Sequence, residues 1–226
     1  MKVDGDAWQK WRQWVGIIEA DLEKSVDDQA MFDIFRAVVK QNGAWIDSNE
    51  GAAFVDLVKR SFASAAFMAV RRQVKVRDRD AVSLLRLLTE VAAQSHQLTY
   101  DLYLKFHPLE EPDRWAWQRR VFDGLSEDGQ VVSKRLIEND IVEANRLSDQ
   151  IEEIADRQVA HLDPKGTEVK VTFDDLRTCL DFFDKLAVRY IRFFTGTSYT
   201  GDTMKARLAF DTHRVFRHPF IKPENA

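Results

Sequence analysis

A single cysteine, Cys179, leaves the 226-residue chain without an intrachain disulfide or a thiolate metal cluster, and a reducing cytoplasm is the compartment that fits. No segment reaches the roughly 18 uninterrupted apolar residues of a membrane span. The nearest, 62–70, is rich in Ala and Ser and bordered by Lys59, Arg60, Arg71 and Arg72, which marks a core helix. The N-terminal residues enter a Trp-rich amphipathic pattern directly, without the apolar run of a signal peptide. None of the five histidines stands three or four residues from another, so no zinc site is expected. The phosphate-binding, dinucleotide-binding, serine-hydrolase and zinc-protease signatures are missing as well. Neither a metal nor a cofactor is therefore expected. A net charge of −4 disfavours a polycation that binds nucleic acid by bulk charge, yet 33 basic residues leave room for a local basic surface.

What is present is helical periodicity. Hydrophobic content of 45% and charged content of 31% suit a folded chain, expected as one helical domain over 1–226. Asp6 caps a first helix with Trp8, Trp11, Trp14, Val15, Ile18 and Leu22 on one stripe, the wall of a core or of an interface. A second helix is predicted over 27–40, stopped by Gln41-Asn42-Gly43, so that Trp-rich N-terminal helices occupy 6–42. Asp47-Ser48-Asn49-Glu50 opens a third helix, to about 76, and Asp78-Arg79-Asp80 caps a fourth, 81–99. Pro108 and Pro112 break the pattern before a short amphipathic piece with Trp115, Trp117, Val121 and Phe122, and 126–129 is a polar loop.

The longest helix is predicted over 133–164. Leu136, Ile137, Ile141, Ala144, Leu147, Ile151, Ile154 and Val159 recur at steps of three and four, one buried stripe. Residues 165–171 read as a loop or a brief edge strand. Thr172 and Asp175 form a capping box for an apolar helix through Phe194, ended by Gly196. A C-terminal arm, 195–226, is interrupted by Pro219 and Pro223. Paired carboxylates such as Asp27-Asp28, Glu152-Glu153 and Asp174-Asp175 sit at helix starts or on solvated faces.

Chemistry is expected at the end of the long helix. Glu153, Arg157 and His161 stand at i, i+4 and i+8, stacked along one line of a helix. The run Asp156-Arg157-Gln158-Val159-Ala160-His161-Leu162-Asp163 resembles the motif region of the HEPN superfamily, in particular its abortive-infection group. Ser61-Phe62 through Arg72 and Ser83-Leu84-Leu85-Arg86-Leu87-Leu88 are similar to two other helices of that group. The likeness spans about 47–194. It implies an all-α bundle of HEPN type with long antiparallel helices, often a homodimer with two Arg/His motifs across a groove, and a metal-independent endoribonuclease of a phage-defence or toxin-antitoxin system. His161 would be the general base and Arg157 the phosphate contact, with Asp156, Glu153 and Asp163 supporting. Arg71, Arg72, Lys75, Arg77 and Arg146 are the candidate RNA contacts. Here three residues separate Arg157 from His161, and Ala155 occupies the position where a fuller motif carries Arg. The alternative is a non-catalytic HEPN-like module in which Arg157 pairs with Glu153 and the Trp-rich or tail surface binds another protein, an antitoxin among the possibilities.

Overall fold

The structure, a computed structural model, describes residues 5–48, 51–76, 81–107, 112–155 and 170–197, with the side chains of 112–115 set aside. Within them the chain is an all-α helical bundle. Its helices are α1 Gly5–Ser48, α2 Ala52–Val74, α3 Leu84–Gln94, α4 Tyr100–Phe106, α5 Pro112–Asp123, α6 Lys134–Ile154 and α7 Phe173–Thr195, with a 3-10 turn at Ser95–Gln97. The only strand-like pairing among the described residues is two isolated bridges, Thr99 with Val131 and Ser126 with Val132.

Four helices set the architecture. Asp21 meets Arg72 and Phe32 stacks on Phe62, so α2 runs antiparallel to α1. Trp8 meets Phe194 and Asp33 pairs with Arg177, so α7 does too. The N-terminus of α3 is tied to the end of α2: Gln73 Oε1 accepts from the Leu84 N–H and Ser83 Oγ donates to the Lys75 carbonyl. The far end of α3 lies beside the start of α6, where the Val132 N–H donates to the Leu98 carbonyl. From there α6 passes α3, then α2, while contacting α7. The order α1, α2, α6, α7 is therefore up, down, up, down around the core.

Long helices form because their apolar stripes are buried. Ile137, Ala144, Ile151 and Ile154 face inward on α6, which Ser133 caps through its side-chain oxygen. On α7 Leu176, Cys179, Leu180, Phe183, Leu186, Ala187, Tyr190, Ile191 and Phe194 are buried, as the spacing predicts. Thr172 and Asp175 make the expected reciprocal cap, and Gly196 closes the helix at φ 68°. Burial pushes the Cys179 thiol up to about 12, so it behaves as a small core hydrophobe rather than a nucleophile.

Two boundaries differ from expectation. The two predicted N-terminal helices run together without a break at 22–27, while the predicted stop is a kink: Asn42 leaves helical φ/ψ at φ −120°, ψ 20°, and a second helical stretch follows to Ser48. The stretch beyond the kink places Ile46 with Phe32, Phe35, Val38 and Val55 in a second apolar cluster, and that burial favours helix resuming after the stop. Gly51 then turns the chain tightly, since a Cβ there would lie 2.6 Å from Ile46 Cγ2. The predicted helix 81–99 is shorter. Ser83 caps α3 and Thr99 caps a separate α4, accepting from the Leu102 N–H at 3.2 Å. The Trp stripe, expected as the wall of a core or of an interface, belongs to the chain's own core. Trp8 and Trp11 are 1% and 0% exposed, which removes that stripe as a free interaction surface.

At the lower end of the bundle His107 is buried, and its Nε2 shares a 2.8 Å hydrogen bond with the Phe193 carbonyl. The carbonyl can only accept, so Nε2 carries the proton. Burial pushes the imidazole pKa below its ordinary value; the backbone contact opposes this and the Arg12 guanidinium adds to it. The unfolded chain therefore binds this proton more readily than the folded one. Stability is complete above the unfolded pKa of about 6.5 and declines as pH falls through it. Replacement His107→Gln should flatten the fall in urea midpoint between about pH 7 and pH 5; an unchanged slope would assign it to other groups.

Candidate functional site

Of the predicted catalytic and supporting residues, Asp156, Arg157, His161 and Asp163 lie outside the described residues, as do Arg77, the predicted loop or strand over 165–169 and the arm beyond 197. Glu153 occupies the last turn of α6, partly exposed and already engaged with a neighbour. The described part of that helix ends on buried Ala155, directly before Asp156. Its height in the bundle follows from Asp140, which accepts from Arg189 Nη1 at 2.7 Å and from the Tyr190 hydroxyl at 3.2 Å. Ala155 is about 22 Å further along the axis, towards the N-terminal half of α7.

The predicted RNA contacts that are described have protein neighbours for the most part. Arg72 pairs with Asp21 at 2.8 Å, and Gln73 donates to the other carboxylate oxygen at 2.7 Å, so this end of α2 straps α1 to α2. Arg71 is half-buried and engaged. Arg146 is exposed but forms a two-pronged contact with Glu143, each arm 2.7 Å. Lys75 makes no ion pair among the described residues, though its carbonyl holds Ser83.

Two clefts carry concentrated positive charge. One, of about 380 Å³ between α1, α2 and α7, is lined by Arg36, Lys40, Lys59 and Arg177 together with Asp33 and Asp174. Its carboxylates answer half the cations: Arg36 lies 3.5 Å from Asp174, and Arg177 pairs with Asp33. It sits toward the upper half of α7, the half that α6 approaches as it ends. The other cleft, of about 420 Å³ between α5 and α7, is lined by Trp117, Arg120, Val121, Gly124, Lys185, Val188, Arg189 and Arg192. None of these described lining residues is acidic, and only Arg189 has a carboxylate, Asp140, behind it.

The second cleft was missed in the sequence reading, although both its stripes are written there. Residues 117, 120, 121 and 124 share one face of a helix, and 185, 188, 189 and 192 share another. Each stripe alone resembles an ordinary solvated face; only the docking of α5 beside α7 joins them.

These features define an all-α, up-down-up-down bundle with two basic clefts, and among its described residues no helix is long and apolar enough to cross a membrane. No family model, curated protein or solved structure matches the chain.

Proposed function

We propose that the chain is a HEPN-type endoribonuclease of a phage-defence or toxin-antitoxin system, a cytoplasmic homodimer that cleaves RNA without a metal ion. The observation that supports this most is the course of α6, a capped and buried helix that leads directly into Asp156. The run Asp156 to Asp163 supplies an imidazole and a guanidinium at helical spacing. In this reading His161 takes the proton from a ribose 2′-hydroxyl, and the 2′-oxygen attacks the adjacent phosphorus. The bond from phosphorus to the 5′-oxygen breaks, and that oxygen takes a proton from water. Arg157 stabilises the charge that builds on the phosphoryl oxygens, and the cleft of Arg36, Lys40, Lys59 and Arg177 offers the strand a basic approach.

The chemistry dictates the product ends. RNA incubated with purified protein in EDTA should yield 2′,3′-cyclic phosphate and 5′-hydroxyl termini, and 2′-deoxy substitution at the scissile nucleotide should block the cut. Products with 3′-hydroxyl and 5′-phosphate ends would contradict the proposal. Absence of any cleavage would favour the competing reading, a HEPN-like module without catalysis.

A further inference from the structure

We propose that the cleft between α5 and α7 binds a nucleotide, with its phosphate held by Lys185 and Arg192 and its base against Trp117. Lys185, Arg189 and Arg192 project from one face of α7 at i, i+4 and i+7, and Arg120 adds a fourth cation from α5. Like charges at such spacing repel by a few tenths of a kcal/mol per pair and are commonly interspersed with carboxylates. Here Arg120, Lys185 and Arg192 have no side-chain ion pair or hydrogen bond among the described residues, and unlike scattered unpaired surface cations such as Lys75 they share one cleft whose described lining holds no carboxylate. The charge is thus left for something outside the chain, and an anion is what it attracts.

A plain anion would not need the rest of the lining. Trp117 is half-buried and has no ring neighbour among the described residues, so part of its indole stays accessible from the cleft. Val121 and Val188 continue the apolar floor beside it. A flat ring covering this surface, with its phosphate reaching the cations, uses both halves, and about 420 Å³ lies within the usual range for a small-ligand cleft. From Lys185 to Arg192 the cations span about 10 Å along the helix, room for one or two phosphates. The site lies about 22 Å from the end of α6 measured along that helix, so the inference stands whether or not the His161 motif cleaves RNA.

The ligand's source is either a free nucleotide or the 5′-end of a strand. Calorimetric titration of the full chain separates them, using adenosine 5′-monophosphate, adenosine, inorganic phosphate and a 5′-phosphorylated tetradeoxynucleotide that 2′-hydroxyl chemistry cannot cut. Binding of the monophosphate identifies a free nucleotide, and binding of the tetramer alone identifies a strand end. In either case affinity should drop by about tenfold or more in Lys185→Gln/Arg192→Gln and in Trp117→Ala, and stay unchanged in Lys24→Gln, an exposed cation of α1 outside both basic clefts, at equal helicity. The proposal is overturned if neither phosphorylated probe binds at millimolar concentration, if the double variant of these exposed residues binds as the parent does, or if inorganic phosphate binds as tightly as the nucleotide.

Discussion

Trp8→Ala should lower the free energy of unfolding by about 3–5 kcal/mol, a large part of the roughly 5–15 kcal/mol that holds a typical domain folded. Trp8 stacks on Phe106 with ring centroids 4.4 Å apart and is enclosed by Tyr103, His107, Phe193 and Phe194 at 6.5, 5.7, 5.6 and 5.1 Å. Its removal opens a cavity where α1, α4 and α7 meet, and the rings around it, packed on one another, cannot collapse into the space without losing those contacts. Trp14, three residues beyond the fully buried Trp11, serves as the internal control. It is partly exposed, with Lys10 and Arg86 each 4.7 Å from its ring centroid, so Trp14→Ala should cost only about 1 kcal/mol. Urea unfolding with an unchanged m-value should show a large midpoint shift for the first and a small one for the second. Equal small shifts would place the stripe outside the core.

This contrast shows how far a local pattern can be read. The spacing of Trp8, Trp11 and Trp14 announces an apolar face but not what covers it, because Phe106 and Phe194 lie far away in sequence. Thr172, Asp175 and Gly196 act within one helical turn of themselves, and the bounds of α7 could be read from them directly. Asn42 also carries a local signal, a helix stop, and the helix does kink there; what the local signal does not tell is that helix resumes as Ile46 packs with Val55 across the turn at Gly51. Thr99 failed in the opposite sense. It stands at the end of the helix predicted over 81–99, yet its hydroxyl caps the start of α4 and the next N–H, that of Tyr100, goes to the Gln130 carbonyl. The competing partner was a loop some thirty residues on, which no window of helical length contains.

The candidate sites divide on the same line. The His161 motif is a local run, legible without any fold. The α5/α7 cleft is a product of tertiary docking, and its charge acquires meaning only once the protein's own carboxylates have been assigned: Asp21 to Arg72, Asp33 to Arg177 and Glu143 to Arg146 elsewhere, and Asp140 to Arg189 alone among the cleft's cations. What distinguishes Lys185 and Arg192 is that they stand unpaired together in one cleft whose described lining holds no carboxylate.

The second large effect concerns chemistry rather than stability. A positioned general base accelerates proton transfer by about 10²–10⁴-fold, so His161→Ala should lose that much of the rate of RNA cleavage. Arg157→Lys tests the companion role. Lysine keeps the charge but loses the planar two-pronged fit to phosphate oxygens, and should show a smaller, still measurable loss. Neither variant removes a residue of the described core, so helicity and urea midpoint should match the parent.

The most direct measurement is the initial rate of RNA cleavage in EDTA by the parent and by His161→Ala, at matched helicity and matched concentration. The account predicts a clear parent rate and a drop of about 10²-fold or more in the variant. Equal rates in the two proteins would contradict it.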